Sequence, residues 1–178
     1  RTRLDAQEIY FIATHTHTGP GGWGRHPLEQ LIAGDFRPDY FNRLTGAMAD
    51  AVTRSRAKLI DAEASLVTVR TPPHERQINR IDQALPAHEQ LSGLFFREPR
   101  GDTLAALVVY GAHATGAGHE AVDLHADYPG GVVKRLKDAG LAFAMFGAGA
   151  VGDSRPRKPQ THHDRLTRST MMGEDLAD

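Results

Sequence analysis

The alternation of apolar and polar positions divides this chain into helix-period and strand-period segments. Ile9 to Thr14 (IYFIAT) is a short apolar, β-prone run that ends in the glycine-rich stretch Gly19-Pro20-Gly21-Gly22, which predicts a buried strand entering a loop. Pro38 and Asp39 open a helical pattern, with Tyr40, Leu44, Met48, Ala51 and Val52 on one face and an end near Leu59. Ala64 to Arg70 predicts a strand stopped by Pro72 and Pro73. Leu94 to Phe96 and Thr103 to Ala112 flank a Pro-Arg-Gly-Asp turn and predict a hairpin. The second arm is continuously apolar, so it belongs in the middle of a sheet, and it terminates at His113. A helix then begins at Tyr128 or Pro129, turns Val132, Val133 and Leu136 inward, and stops at Gly140. Leu141 to Phe146 is the next strand, running into Gly147, Gly149 and Gly152.

These elements predict an α/β fold with a mixed sheet flanked by helices. Several of its strands end in glycine-rich or histidine-bearing loops. In α/β folds, sites gather at the carboxyl ends of strands, so His15, His17, His113 and Asp153 are expected neighbours there.

Composition narrows the function. The 178 residues suit one domain or one large piece of a domain, with no Gly/Ser-rich linker to split them. With 40% hydrophobic and 24% charged residues the chain can bury a core. The formal net charge of −1 gives no electrostatic reason to expect nucleic acid as a partner. No apolar run approaches the roughly 18–20 residues needed to cross a bilayer. Cysteine is absent, which excludes disulfides and Cys-ligated zinc. The chain opens at Arg1 without an initiator Met and stops at Asp178 in a helical pattern, so it reads as an internal fragment. The 10 histidines are the outlier, and histidine is the commonest metal ligand.

The motif with the clearest chemistry is Thr14-His15-Thr16-His17-Thr18-Gly19-Pro20-Gly21-Gly22. If the strand continues through it, its period of two puts both imidazoles on one face. One can then bind a metal while the other sits within reach of water or substrate, and the glycines allow backbone to approach a ligand closely. The same pair also suits the metal site of barrel-type amidohydrolases, or a polar strand end with two hydrogen-bonded imidazoles. A barrel is disfavoured by length, since that fold takes about 250 residues.

The whole nonapeptide resembles the HTHSGPGG signature of the neutral/alkaline (non-lysosomal) ceramidases. Further landmarks follow in that family's order: Gln77-Ile78-Asn79-Arg80, Ala112-His113-Ala114-Thr115, Ala126-Asp127-Tyr128-Pro129-Gly130, and Gly147 through Asp153. The resemblance implies that His15 and His113 are zinc ligands. It implies that His17 assists proton transfer or holds the transition-state oxygen, and that Arg80 contacts the substrate or its oxyanion. The family completes its zinc shell with a Glu and a Tyr further along the chain, and no matching segment occurs before Asp178. Asp127 is expected to cap the following helix or to orient His113, and Asp153 to stand beside the site or in a turn. Thr18 replaces the family's usual serine and keeps its hydroxyl. Trp23 stands where tyrosine is common, and Asp127-Tyr128 where Asp-Asn is found.

What the resemblance implies is zinc-assisted hydrolysis of an N-acyl bond, releasing a fatty acid and a sphingoid base from a ceramide. His17 and Arg80 would support the oxyanion charge. The expected partner is a lipid-like N-acyl substrate, with peripheral contact at a membrane surface and a secreted or periplasmic address. Two rivals stand beside it: a zinc hydrolase of another amide or ester, and a domain that binds metal or ligand without catalysis. Of the remaining polar residues, His119, Glu120, Asp123 and His125 read as a solvated loop, and His162-His163 as an exposed pair. His26, His74 and His88 carry no assigned role.

Overall fold

The computed structural model describes residues 4–72, 75–118, 123–157 and 163–178. These form two compact units, one of Arg1–Phe11 with Pro20–Asp61 and one of Ile12–Gly19 with Ala62–Asp178.

The first unit is helical. After a 3-10 turn at Ala6–Glu8 come α1 (Pro27–Ala33) and α2 (Pro38–Arg56). Helix α1 starts in a capping box: His26 accepts the Leu28 N–H, and Glu29 reaches back to the His26 N–H. Helix α2 follows the expected pattern but closes at Arg56, three residues before Leu59. Arg25 lies over the rings of Phe36 and Phe41, at 5.3 and 4.5 Å from their centroids.

The second unit holds the sheet. Its strands are β1 (Glu63–Arg70), β3 (Gln90–Arg97), β4 (Thr103–Tyr110) and β5 (Phe143–Ala148), in that spatial order. The β1/β3 and β3/β4 pairs are antiparallel and β4/β5 is parallel, so the sheet is mixed as expected. Strand β4 is central, paired on both edges. A parallel neighbour requires a crossover, which α3 (Asp127–Asp138) provides; Gly140, at φ 104°, ends it. Ala106, Val108 and Tyr110 alternate toward the helices. There Val108, Tyr110 and Phe146 pack with Tyr128 and Val132 of α3 and Leu176 of α4 (Arg165–Ala177). Each such side chain removed from water contributes roughly 1.5–3 kcal/mol. A separate antiparallel ribbon joins β2 (Gln77–Asn79) to β6 (Ser154–Pro156). No helix among the described residues is long and apolar enough to cross a membrane.

One expected element differs. Residues 9–14 do not form a buried strand: the segment joins no ladder, and Tyr10 and Phe11 are 83% and 73% exposed. Its apolar, β-branched composition favours extended backbone, but a ladder needs a continuous partner. The segment meets β5 through one hydrogen bond, Ala148 N–H to the Ala13 carbonyl at 2.8 Å. Beyond it, Thr16 forms an isolated parallel bridge with Ala114.

Candidate metal centre

Three imidazoles come together in the second unit. His15 and His17 lie on the extended segment that precedes Gly19, and His113 lies three residues beyond the end of β4. The ring centroids of His15 and His113 are 4.7 Å apart, those of His15 and His17 5.2 Å, and those of His17 and His113 5.5 Å. One ligand nitrogen from each lies within 4.8 Å of the others. His15 and His17 do lie together, as a period of two predicts, but not through a continuous strand. His15 takes φ 58°, a left-handed turn, and residues 17–18 form a turn after the Thr16 bridge. Desolvation, and then the neighbouring His113, lower the His15 imidazole below its ordinary pKa. The neutral form, whose lone pair a metal needs, is thereby favoured.

His113 is the buried member, 8% exposed. Its Nδ1 lies 2.5 Å from the Val151 carbonyl oxygen and 3.1 Å from that of Ser154, so Nδ1 carries the proton and donates it. That tautomer leaves the Nε2 lone pair outward. It is met by Arg80, whose Nη1 donates to Nε2 at 3.1 Å. A backbone-anchored Nδ1–H that leaves Nε2 as an acceptor is the usual arrangement of a metal-binding histidine, and here Arg80 holds the acceptor position. The donor set of three imidazole nitrogens suits zinc.

The β2–β6 ribbon makes this arrangement. Asn79, 3% exposed, accepts the N–H groups of Ile81 and Asp82 on Oδ1 and donates Nδ2 to the Pro86 carbonyl. The Arg80 N–H binds the Asp153 carbonyl at 2.7 Å. The same turn, Val151 to Ser154, presents the carbonyls that hold His113. Arg80 thus follows β2, His113 follows β4, and Asp153 follows β5. Asp153 itself is an exposed turn residue whose carboxylate meets Asn79 Nδ2 at 3.4 Å, and the three-histidine group does not include it.

Asp127 is not the α3 cap, a position Ala126 takes without a side-chain bond. It is 1% exposed and opens α3 at φ 55°. Its carboxylate accepts N–H groups from Gly116 (2.9 Å), Ala117 (2.8 Å) and Tyr128 (2.7 Å), tying the loop after His113 to the helix. Tyr128 adds its hydroxyl to the Ala112 carbonyl at 2.6 Å. His125, expected in a solvated loop, is instead engaged: its N–H binds the Thr18 carbonyl, and its Nδ1 accepts the Asp127 N–H at 3.0 Å. Sequence patterning missed this because Asp123-Leu124-His125 carries no period. Asp123 and His163 are exposed, and His26 is the α1 cap. His74, His119, Glu120 and His162 lie outside the described residues.

A neutral ceramidase of Mycobacterium tuberculosis is 37% identical over 60 residues, covering 34% of this chain and 9% of that protein. The Pseudomonas aeruginosa neutral ceramidase is 31% identical over 55 residues, covering 31% of this chain and 8% of that protein. The crystal structure of the Pseudomonas aeruginosa enzyme superimposes with a TM-score of 0.76, across 93% of this chain. The chain resembles the neutral ceramidases. At 20% identity the superposition by itself shows a shared fold, and it covers 30% of the ceramidase chain. A ceramidase complexed with C2 gives the same TM-score, 0.76, at 19% identity, covering 93% of this chain and 29% of its own. No protein-family model matches the chain. The ceramidase likeness thus rests on short stretches of sequence and on nearly the whole fold.

Proposed function

We propose that this chain carries the histidine part of a zinc-dependent amide hydrolase that cleaves a lipid-like N-acyl substrate, with N-acylsphingosine the first to test. The observation that carries the reading is the convergence of His15, His17 and His113, with Arg80 on the outward nitrogen of His113. In this reading His15 and His113, the closest ring pair, hold the metal. Zinc supplies Lewis acidity there, polarising a carbonyl and acidifying water. His17, beside that pair, takes the proton from attacking water and returns it to the leaving amine. Arg80 leaves His113 to hold the charge that develops on the carbonyl oxygen; such a donor is worth about 10²–10³ in rate. The downstream Glu and Tyr of the ceramidase pattern would complete the shell. An exported location and contact with a membrane surface belong to the same reading, by resemblance to the ceramidases.

A second reading keeps the metal and changes the substrate to another amide or ester. It is favoured by the departures from the ceramidase pattern at Trp23 and at Asp127-Tyr128. Zinc content and N-acylsphingosine hydrolysis of the full-length protein separate the two, with His15→Ala and His113→Ala alongside. The expected result is stoichiometric zinc and cleavage in the wild type, both lost in each variant. Zinc without cleavage moves the reading to another acyl substrate. A wild type without zinc, matched by its variants, returns these histidines to structure.

A further inference from the structure

The segment that carries the two histidines has a second side. Along residues 11–18 exposure alternates: Ile12, Thr14, Thr16 and Thr18 turn inward, while Phe11, Ala13, His15 and His17 turn outward. Two of the inward threonines converge on one acceptor. Thr16 Oγ1 donates to the His125 carbonyl at 3.0 Å and Thr18 Oγ1 donates to the same oxygen at 2.7 Å. The two hydroxyls lie 3.1 Å apart, and the Thr18 N–H reaches Thr16 Oγ1 at 3.3 Å. The His125 N–H returns to the Thr18 carbonyl at 3.1 Å, and the His17 N–H binds the Ala114 carbonyl at 3.3 Å.

From these contacts we propose that Thr16 and Thr18 are positioning residues, whose hydroxyls fix the backbone that aims His15 and His17 at His113. The anchor is local, because Thr16 stands between the two histidines and Thr18 directly follows His17. The anchor is also shared. His125 is held by the Asp127 N–H on its ring, and Asp127 holds Gly116 and Ala117 of the loop that follows His113. One short segment, residues 125–127, therefore sets the spacing between the His15/His17 pair and His113. Groups that orient metal ligands typically change metal affinity about 10- to 100-fold when removed. The proposal rests on the metal-site reading above, and it concerns affinity and geometry, independently of the substrate.

The test is zinc affinity by chelator competition in the full-length protein. Cobalt(II) absorption reports ligand geometry, and thermal unfolding confirms that each variant is folded at the assay temperature. Valine keeps the shape of threonine and removes its hydroxyl. The double variant Thr16→Val/Thr18→Val is expected to bind zinc about 10- to 100-fold more weakly, with an altered cobalt spectrum. Thr16→Ser and Thr18→Ser should bind like the wild type. If the double variant does not fold, Thr18→Val alone is decisive, since it leaves the Thr16 hydroxyl on the same carbonyl; a several-fold loss is expected. Folded valine variants with wild-type affinity and cobalt spectrum overturn the proposal, as do serine variants as impaired as the valine ones. A wild type that binds no zinc removes the metal-site reading and this proposal together, an outcome distinct from loss of the positioning role alone.

Discussion

In the left-handed region an L-residue crowds its own Cβ against the carbonyl, at a cost of roughly 1–2 kcal/mol. Two non-glycine residues at the candidate centre sit there, His15 at φ 58° and Asp127 at φ 55°. Asp127 is compensated by three backbone N–H groups on its carboxylate. For His15 the left-handed turn carries its ring to within 4.7 Å of that of His113, centroid to centroid. This predicts that, in metal-free protein with chelator present, His15→Gly withstands urea better than His15→Ala by about 1 kcal/mol, while both lose zinc. Equal midpoints would show that the turn is not held in solution and does not aim the imidazole. The partnership of His15 with His17 was legible from spacing, but the left-handed backbone at His15 was not. Residue identity announces a left-handed conformation for glycine and only weakly for histidine or aspartate. Arg80 shows the complementary limit. Its own neighbourhood marks a surface arginine, and its place beside His113 arises from pairing between β2 and β6, far apart in the chain.

Among the elements, the crossing of α3 and α4 leaves no room for a side chain. A Cβ on Gly173 would stand 1.9 Å from the Tyr128 carbonyl oxygen and 2.7 Å from the Val132 nitrogen. One on Gly131 would stand 2.1 Å from the Thr170 carbonyl oxygen. The helices meet backbone to backbone, directly behind Asp127 and Tyr128. Gly173→Ala must part them, and overpacking of this kind costs about 1–3 kcal/mol. The expected outcome is a lower urea midpoint together with weaker zinc binding, because Asp127 moves with α3. A Gly173→Ala variant as stable as wild type would show that the two helices are not held backbone to backbone in solution. Elements with a sustained period were legible: α2, the β3/β4 hairpin, α3 and β5 lie within a few residues of their expected places. The strands β2 and β6, with three residues each, are too short to show a period, and they form only because each finds the other. Helix α1 did leave a signal, Pro27 at its start, Glu29 at its third position and Gly34 after its end. That capping pattern, rather than apolar periodicity, is what would have found it.

At the scale of the whole molecule, a metal that binds only the folded protein must stabilise it, by about 2.7 kcal/mol when free metal is a hundredfold above its dissociation constant. The effect matters here because the chain carries 10 histidines, and zinc can adhere to several of them without any organised centre. Three of the ten are brought together by segments that precede the sheet, leave β4 and receive carbonyls from the turn after β5. Binding there bridges parts of the chain that separate on unfolding, so it couples to global stability; binding at exposed His26 or His163 does not. Zinc is therefore expected to raise the thermal midpoint of the wild type, and chelator to reverse the rise. The same titration should leave His113→Ala unmoved, although that variant keeps nine histidines. His26→Ala, which touches only the α1 cap, should show the full zinc-dependent rise from a slightly lower starting point. An equal rise in wild type and His113→Ala would place the bound metal elsewhere, and the convergence of His15, His17 and His113 would then be a packing arrangement and not a metal centre.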